Sequence, residues 1–250
     1  MIYSRISGTG SQLPAKIVTN HDLAKVMDTS DQWIRERTGI CERRIAADGE
    51  TTADLAEVAC RKALEAADVD PAEIDLFVMG TTTPNLVFPS TACLLQKKLG
   101  SPDCGAMDVN AACSGFLYAL SVADKYIRCG EAKKVLVCGA ETLSRITNWS
   151  KRETAVLFGD GAGAVVLEAA DAPGILSTHI HANGDYGDLL TTAVGVSVGY
   201  DGLAGNNGRP EILMRGNEVF KVAVRTLGRV VEETLGANGL QKSDLDWLIP

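Results

Sequence analysis

Short apolar segments alternate with amphipathic helices along this chain, and this alternation limits the folds that it can adopt. The segments "EIDLFVMG" (73–80), "KKVLVCGA" (133–140) and "AGAVVLE" (162–168) carry the uninterrupted apolar runs of strands that are buried on both sides. Before the first of them, "TTADLAEVACRKALEAADV" (51–69) places Leu55, Ala59, Ala63 and Ala66 on one helical face. The pattern predicts an α/β protein whose largely parallel sheets are covered by helices on both faces.

The remaining segments extend this pattern. We expect one or two short helices that end at Gly39, a helix over 89–100 closed by Gly100, a strand over 105–110 and a helix over 113–128. A weak internal repeat aligns "EIDLFVM" (73–79) with "DLDWLIP" (244–250). If the repeat is real, the chain is a duplicated fold whose second copy stops early.

Charge and composition exclude several classes of protein. The 250 residues carry a net charge of −8 with no block of like charges, which argues against a nucleic-acid or membrane-surface protein. No apolar run approaches the ~18 residues of a membrane span, and we expect no signal peptide at the start. The seven cysteines form no CxxC pairs, so we predict free thiols in a cytoplasmic protein.

One cysteine has an unusual setting. In "DVNAACSGFLYAL" (108–120), Cys113 lies among small residues where a strand gives way to a helix. The first N–H groups of a helix have no partner within it and carry partial positive charge, so they stabilise a thiolate. The same groups can hold an oxyanion when that thiolate attacks a carbonyl. The setting therefore suits a nucleophile, and the alternative is a cysteine packed there as a small apolar residue.

Two polar helices are candidates for binding sites. In "TSDQWIRERTGI", Trp33 lies near Arg35 and Arg37. The indole could stack on a purine, and the two arginines could contact phosphates. In "VFKVAVRTLGRVVEE", Lys221, Arg225 and Arg229 recur every four residues and form one basic stripe opposite apolar residues. The alternative is a half-buried tryptophan with solvated arginines for the first helix and a solvated helix face for the second.

Two further motifs resemble ligand-binding sequences, but we assign a ligand to neither of them. "GDGAGA" (159–164) runs at once into a strand rather than a helix, so a dinucleotide site is not expected and the glycines suit a tight turn and close packing. His179 and His181 alternate as residues on one face of a strand do, but no third metal ligand lies nearby in the sequence. We predict structural roles for both histidines and no metal site.

The segment "DVNAACSGFLYALSVADKYI" closely resembles the nucleophile region of the β-ketoacyl-acyl-carrier-protein synthase III family. The resemblance continues in order through "GTGSQLP", "DTSDQWIRERTGI", "FPSTACLLQKKLG", "FGDGAGAVVLE", "GNEVFKVAV" and "LDWLIP". It implies the thiolase fold, a duplicated αβαβα arrangement of layers. Residues 1–170 would form the N-terminal half with the nucleophile, and 171–250 would begin the C-terminal half.

The resemblance also implies a reaction. Cys113 would accept an acetyl or other short acyl group from coenzyme A, and the acyl group would then condense with malonyl-acyl-carrier protein with loss of CO2. Coenzyme A enters as a thioester substrate, and no cofactor is implied. Two alternatives stay open: a relative that binds or hydrolyses acyl-CoA without condensation, and a secondary-metabolite synthase with other starters.

The family's site residues map onto this chain at matching motifs. Phe88 would cross the interface of a homodimer and limit acyl length, and the alternative is a core Phe beside the helix cap at Ser90. The basic stripe of Lys221, Arg225 and Arg229 would dock the carrier protein. The residues that would contact coenzyme A or the acyl group are Thr29, Trp33, Arg37, Arg152, Phe158, Met214, Gly216 and Asn217.

Two residues that the family uses in condensation have no match in this sequence. In the family a His follows the strand spelled here "DWLIP", and an Asn comes later still. None of the three histidines present lies in a matching motif. We therefore expect the 250 residues to be a fragment of a longer synthase that does not condense on its own.

Overall fold

The computed structural model describes residues 2–192, 194–197, 199 and 210–249, which form two compact units. The first unit comprises Met1–Thr19, Glu42–Ser144 and Gly159–Ile175, and the second comprises Asn20–Cys41, Arg145–Phe158 and Leu176–Pro250. Segments 20–41 and 145–158 of the predicted N-terminal half thus group with the residues that follow it. The division into duplicated halves at residue 170 stays a prediction.

The first unit contains a five-stranded sheet in the order β1-β7-β6-β4-β5. Its strands are β1 (Tyr3–Gln12), β4 (Leu76–Gly80), β5 (Gly105–Val109), β6 (Lys134–Thr142) and β7 (Asp160–Ala170). Strand β4 is parallel to β5 and β6, whereas β7 is antiparallel to β6 and β1. Strand β1 therefore runs in the same direction as β4, β5 and β6, and the expectation of a largely parallel sheet is wrong for β7, which runs against the other four strands. The chain returns from β6 to β7 without a long crossover helix, which antiparallel pairing permits.

The first unit also contains a small two-stranded sheet. It pairs β2 (Lys16–Thr19) with β3 (Glu42–Ile45) in antiparallel register.

Helices cover both faces of the five-stranded sheet, as the sequence predicts. Helices α3 (Thr52–Ala67) and α4 (Thr91–Leu99) pack on the face that carries Phe77 and Met79. Helix α5 (Gly115–Arg128) packs on the face that carries Leu76 and Val78. All five residues of β4 are buried, and alternate side chains enter opposite cores because strand side chains alternate between faces.

The predicted helix boundaries and core face are largely confirmed. Helix α3 begins with a capping box between Thr51 and Asp54, and α4 closes at Gly100 with φ +75°. Leu55, Ala59 and Ala63 of α3 are buried, but Ala66 is exposed. Ala67 packs against the core instead, because it continues the four-residue spacing.

In its described residues, the second unit contains helices and an antiparallel pair of short strands. The helices are α1 (Asn20–Ala24), α2 (Asp31–Thr38), α6 (Arg152–Ala155) and α7 (Gly216–Asn238), and the strand pair joins β8 (Leu190–Thr192) to β9 (Ile212–Met214). Helix α2 ends at Gly39 with φ +71°, where the sequence predicts its end. Within the described part of the chain, no helix combines the length and apolarity that crossing a bilayer requires.

The internal repeat has a counterpart in local structure. Helix α3 closes at Asp68 and α7 at Gly239, both left-handed and 171 residues apart. Each cap is followed by a 3-10 turn with its own capping box, at Pro71–Glu73 and Lys242–Asp244. The aligned segments 73–79 and 244–250 have the same offset. In contrast to buried β4, however, residues 245–249 form no strand and are exposed.

Candidate active site and its binding surfaces

Cys113 lies in a tight turn between β5 and α5. A 3-10 turn spans Ala112–Ser114, and the α-helix begins only at Gly115. The predicted helix start at residue 113 is thus two residues early. Ala112 has φ +46°, a left-handed conformation that a residue with a Cβ rarely adopts. This conformation of Ala112 turns the chain sharply between strand and helix, and Cys113 is exposed at the corner.

Close backbone packing anchors this corner to the sheet. Gly80, the last residue of β4, lies against the first turn of α5. A Cβ on Gly80 would come within 2.4 Å of the carbonyl carbon of Gly115 and 2.6 Å of its oxygen. The small residues around Cys113 are therefore needed for the approach of strand and helix as well as for access to the thiol.

The other cysteines have different environments. Cys60 and Cys138 are buried, and burial, together with a hydrogen bond to Cys138, raises the pKa of the Cys60 thiol well above its usual range. Besides Cys113, Cys41 and Cys129 are exposed. Cys129 caps the C-terminal end of α5, the helix that Cys113 precedes. Exposure alone therefore does not distinguish Cys113 from Cys129. Cys113 lies at the N-terminal end of α5, where the helix favours negative charge.

Phe88 lies at the tip of the loop between β4 and α4. Its side chain is 84% exposed, and its neighbours Leu86 and Val87 are exposed as well. Ser90 caps α4 by accepting a hydrogen bond from the N–H of Cys93, as the sequence predicts. The alternative of a core Phe is therefore wrong, and the loop presents an apolar tip to solvent.

Trp33, Arg37 and Arg152 form a cluster in the second unit. The guanidinium carbons of Arg37 and Arg152 lie 4.4 Å and 4.6 Å from the centroid of the indole. Arg152 also donates a hydrogen bond to the carbonyl of Asp28 at 2.8 Å. The half-buried indole therefore makes cation–π contacts with two guanidinium groups, which brings an aromatic ring and two positive charges together in one cluster.

Arg35 and Thr29 lie near Trp33 in the sequence and differ in their contacts from the residues of this cluster. Arg35, which lies close to Trp33 in sequence, instead forms an ion pair with Asp31 at 2.8 Å. The buried hydroxyl of Thr29 has no hydrogen-bond partner among the described residues. A buried hydroxyl without a partner is costly, and the role of Thr29 in ligand binding stays a prediction.

Met214, Gly216 and Asn217 lie where β9 gives way to α7. The N–H of Ile212 in β9 donates to the carbonyl of Ile146 at 2.9 Å, which joins this strand to the segment that carries Arg152. The structure thus connects this corner with the tryptophan cluster inside the second unit. Phe158, also in this unit, is half-buried.

The basic stripe on α7 is exposed along its length. Lys221, Arg225 and Arg229 are all accessible, as predicted. The opposite side of the helix is less buried than its apolar pattern suggests, since Phe220 remains 69% exposed. Leu235 is the buried apolar residue of this helix.

The two motifs to which we assign no ligand have structural contacts. "GDGAGA" is not a tight turn: Asp160–Gly163 already belongs to β7, because Asp160 accepts hydrogen bonds from Ala46 and Ser144 and fixes the strand start. His179 and His181 both contact Glu233 of α7, at 3.0 Å and 2.8 Å. They lower the pKa of that carboxyl, with His181 making the larger contribution. No cluster of three potential metal ligands occurs among the described residues.

Sequence reasoning missed the polar residues at the carboxyl end of the sheet. Asp108 in β5 caps the first turn of α4, and Glu141 near the end of β6 binds Thr82 and Thr83. The available signal was an acidic residue near the carboxyl end of β5 and of β6, at the edge where α/β sheets place their sites.

Comparisons with known proteins give one consistent result. Residues 107–184 match the model of the family described as 3-oxoacyl-[acyl-carrier-protein] synthase III. The chain is 65% identical over 249 residues to a β-ketoacyl-[acyl-carrier-protein] synthase III of Xanthomonas campestris, and the match covers 100% of this chain and 76% of that protein.

Solved structures agree with the sequence matches. A 3-oxoacyl-[acyl-carrier-protein] synthase III from Aquifex aeolicus superposes with a TM-score of 0.86 at 47% identity, covering 95% of this chain and 73% of the other. The priming β-ketosynthase of a polyketide biosynthetic pathway superposes with a TM-score of 0.91 at 36% identity, over 97% and 72% of the two chains.

Proposed function

The chain belongs to the β-ketoacyl-[acyl-carrier-protein] synthase III family, and we propose that Cys113 is the residue that carries the acyl group in its reaction. Members of this family are decarboxylating, condensing acyltransferases with the thiolase fold, and they use acyl-CoA and malonyl-acyl-carrier protein to initiate fatty-acid synthesis. The observation that supports the proposal best is the exposed thiol of Cys113 at the strained corner before α5.

The chemistry at this corner is thioester exchange. The Cys113 thiolate attacks the carbonyl carbon of the acyl-CoA thioester, a tetrahedral oxyanion forms, and the coenzyme A thiolate leaves. The N–H groups of Ser114 and Gly115 are already bonded to the carbonyls of Ala111 and Ala112. We therefore assign the oxyanion-binding role to the N–H of Cys113 itself.

In the reaction of the family, the second stage forms the carbon–carbon bond. Malonyl-acyl-carrier protein loses CO2, and the electron pair of the broken bond becomes a carbanion at the carbon next to the thioester. The carbanion attacks the acyl-Cys113 carbonyl, and the Cys113 thiolate leaves as the β-ketoacyl-carrier product forms. Dividing the reaction in this way lets one thiol act first as nucleophile and then as leaving group.

The cluster around Trp33 suits the nucleotide end of coenzyme A. Adenine would stack on the indole in place of one of the two guanidinium groups that lie over it here, and Arg37 and Arg152 supply positive charge for the phosphates. Thr29, with its buried hydroxyl, supplies a further polar group beside the cluster. We assign contacts with the rest of the substrate to Phe158, Met214, Gly216 and Asn217.

Two surfaces are assigned to protein partners. The apolar tip at Phe88 supports a homodimer in which this side chain limits the partner's acyl pocket. The exposed stripe of Lys221, Arg225 and Arg229 is the docking surface for the acidic carrier protein, since a chain of net charge −8 must concentrate its positive charge locally. The cytoplasmic location stays a prediction.

Release of free coenzyme A tests this proposal. Wild-type protein mixed with excess acetyl-CoA and no carrier protein should release about one coenzyme A per chain in a rapid burst and then stop, because the acyl-enzyme accumulates. Cys113→Ala should show no burst, and Cys129→Ala should match the wild type. Continuous release at a steady rate would instead indicate a hydrolase and contradict the proposal.

A further inference from the structure

The loop of residues 81–90 connects β4 to α4. Both ends of this loop are hydrogen-bonded to β5, the strand that leads to Cys113. At its start, the N–H of Thr81 donates to the carbonyl of Val109, the last residue of β5. At its end, the Asp108 carboxylate accepts from the N–H groups of Thr91 and Ala92 at 2.7 Å and 2.8 Å. The position of this loop is therefore tied to the base of the nucleophile turn.

Glu141 binds the same loop from the other side of β4. Its carboxylate accepts from the N–H of Thr82 at 2.7 Å, from the hydroxyl of Thr82 at 3.1 Å and from the hydroxyl of Thr83 at 2.5 Å. The parallel register pairs Gly80 of β4 with Gly139 of β6, so a side chain two residues beyond Gly139 reaches the start of the loop. One carboxylate thus satisfies three donors of two adjacent residues.

Further hydrogen bonds surround this contact. The N–H of Thr142 donates to the Thr83 hydroxyl at 2.8 Å, and the Thr52 hydroxyl donates to the Thr83 carbonyl at 2.6 Å. Asn85 accepts from the N–H of Ala53 at 2.9 Å. The first turn of α3 therefore holds the loop from the side opposite Glu141. A network of this kind fixes backbone position because each member restrains the next.

The network stops short of the exposed tip. Thr82, Thr83 and Asn85 are partly buried and bonded, whereas Leu86 to Phe88 are exposed. Burial raises the pKa of the Glu141 carboxyl, although its hydrogen bonds with Thr83 and Thr82 oppose this effect. Its ionised form thus carries a cost, which agrees with a role other than stabilising the fold.

We propose that Glu141 is a positioning residue: through Thr82 and Thr83 it fixes the loop that carries Phe88 and so sets the length of the acyl group that is accepted. This inference rests on the proposed function, from which Phe88 takes its role in the acyl pocket. Without the carboxylate, the N–H of Thr82 and both hydroxyls lose their acceptor, and the loop gains freedom. Its tip then restricts longer acyl chains less strictly.

Two measurements on Glu141→Ala test the proposal. The first is the rate of Cys113 acylation by acetyl-CoA and by hexanoyl-CoA. We expect the hexanoyl-to-acetyl rate ratio to rise by about tenfold, which corresponds to about 1.4 kcal/mol. The second is hydrogen exchange at the amides of residues 82–88, which should become faster. Glu141→Gln retains an acceptor for Thr82 and should give intermediate values in both.

Glu168→Ala is the matched control. Glu168 is also partly exposed, but it pairs with Lys134 at the opposite end of β6. Its removal should change neither the rate ratio nor the exchange of residues 82–88. If Glu141→Ala does not fold, Thr83→Val removes one hydroxyl at small cost in volume and should shift both readouts in the same direction.

The outcomes separate this inference from the function on which it rests. Folded Glu141→Ala with wild-type exchange and a wild-type rate ratio would overturn the positioning role. Faster exchange with an unchanged rate ratio would overturn the effect on acyl length. If wild-type protein accepts no acyl group, the proposed function fails, and the exchange measurement alone then decides whether Glu141 holds the loop.

Discussion

At the scale of single residues, the two ends of α5 provide an internal comparison. Cys113 precedes the helix and Cys129 caps its C-terminal end, and both thiols are exposed. The N-terminal end of a helix favours negative charge and the C-terminal end disfavours it. The structure thus gives two thiols of similar exposure opposite electrostatic settings.

This comparison predicts a difference in reactivity. Because the thiolate is the reacting species, iodoacetamide at neutral pH should label Cys113 before Cys129 and Cys41. Peptide mapping by mass spectrometry after short labelling times measures the order. Equal or faster labelling of Cys129 would show that the helix does not activate Cys113.

The pKa of Glu141 gives a prediction on stability. Its pKa in the folded protein lies above the ordinary 4.5, so between these two values the folded state keeps a proton that the unfolded state has lost. The free energy of unfolding must therefore fall as pH rises through this interval. Relative to Glu141→Gln, the wild type should lose stability from pH 4.5 upward until the carboxyl is ionised, as urea denaturation at several pH values would measure. A constant difference between the two proteins would contradict this.

At the scale of secondary-structure elements, the contact between β4 and α5 positions the nucleophile. Gly80→Ala would place a Cβ against the backbone of Gly115, and backbone cannot move aside as a flexible side chain can. Overpacking of this kind typically costs about 1–3 kcal/mol. We expect Gly80→Ala to unfold at lower urea and to slow acylation of Cys113.

Gly163 in β7 is the matched control for this substitution. A Cβ at Gly163 would meet nothing within 4 Å, so Gly163→Ala should leave stability unchanged or raise it by about 0.5–1 kcal/mol. Equal effects of the two substitutions would show that the contact of Gly80 with α5 is not what matters.

Helix α7 gives the prediction for carrier-protein docking. Charge reversal in Lys221→Glu should weaken binding of the carrier protein and leave acylation by acetyl-CoA nearly unchanged, because the side chain is exposed and Cys113 is not altered. Titration with carrier protein at low and moderate salt measures the first effect, which should diminish as salt rises. Loss of acylation as well would indicate misfolding or a different role.

At the scale of the whole molecule, the sequence predicts the parts of the fold that local patterns determine. The buried strand β4, the capping box of α3 and the glycine that closes α4 each follow from neighbouring residues. The direction of β7 does not, because strand pairing is decided by contacts distant in sequence. The same holds for Glu141 and Thr82, which are 59 residues apart.

The candidate site divides in the same way. The position of Cys113 between strand and helix is evident from sequence. The left-handed conformation of the preceding Ala112 is not, because alanine disfavours that conformation. The pairing of Arg152 with Trp33 joins residues far apart in the chain. Its neighbouring arginines made Trp33 a candidate from the sequence itself, whereas Arg152 was identified only through the family resemblance, and the geometry supplies a physical reason for the pair.

The mass of the intact protein after mixing with acetyl-CoA shows whether Cys113 takes up the acyl group. We predict one acetyl adduct on the wild type and on Cys129→Ala, none on Cys113→Ala, and an adduct that hydroxylamine removes, as expected of a thioester. An adduct that persists in Cys113→Ala, or a wild type that stays unmodified while folded, would contradict the account.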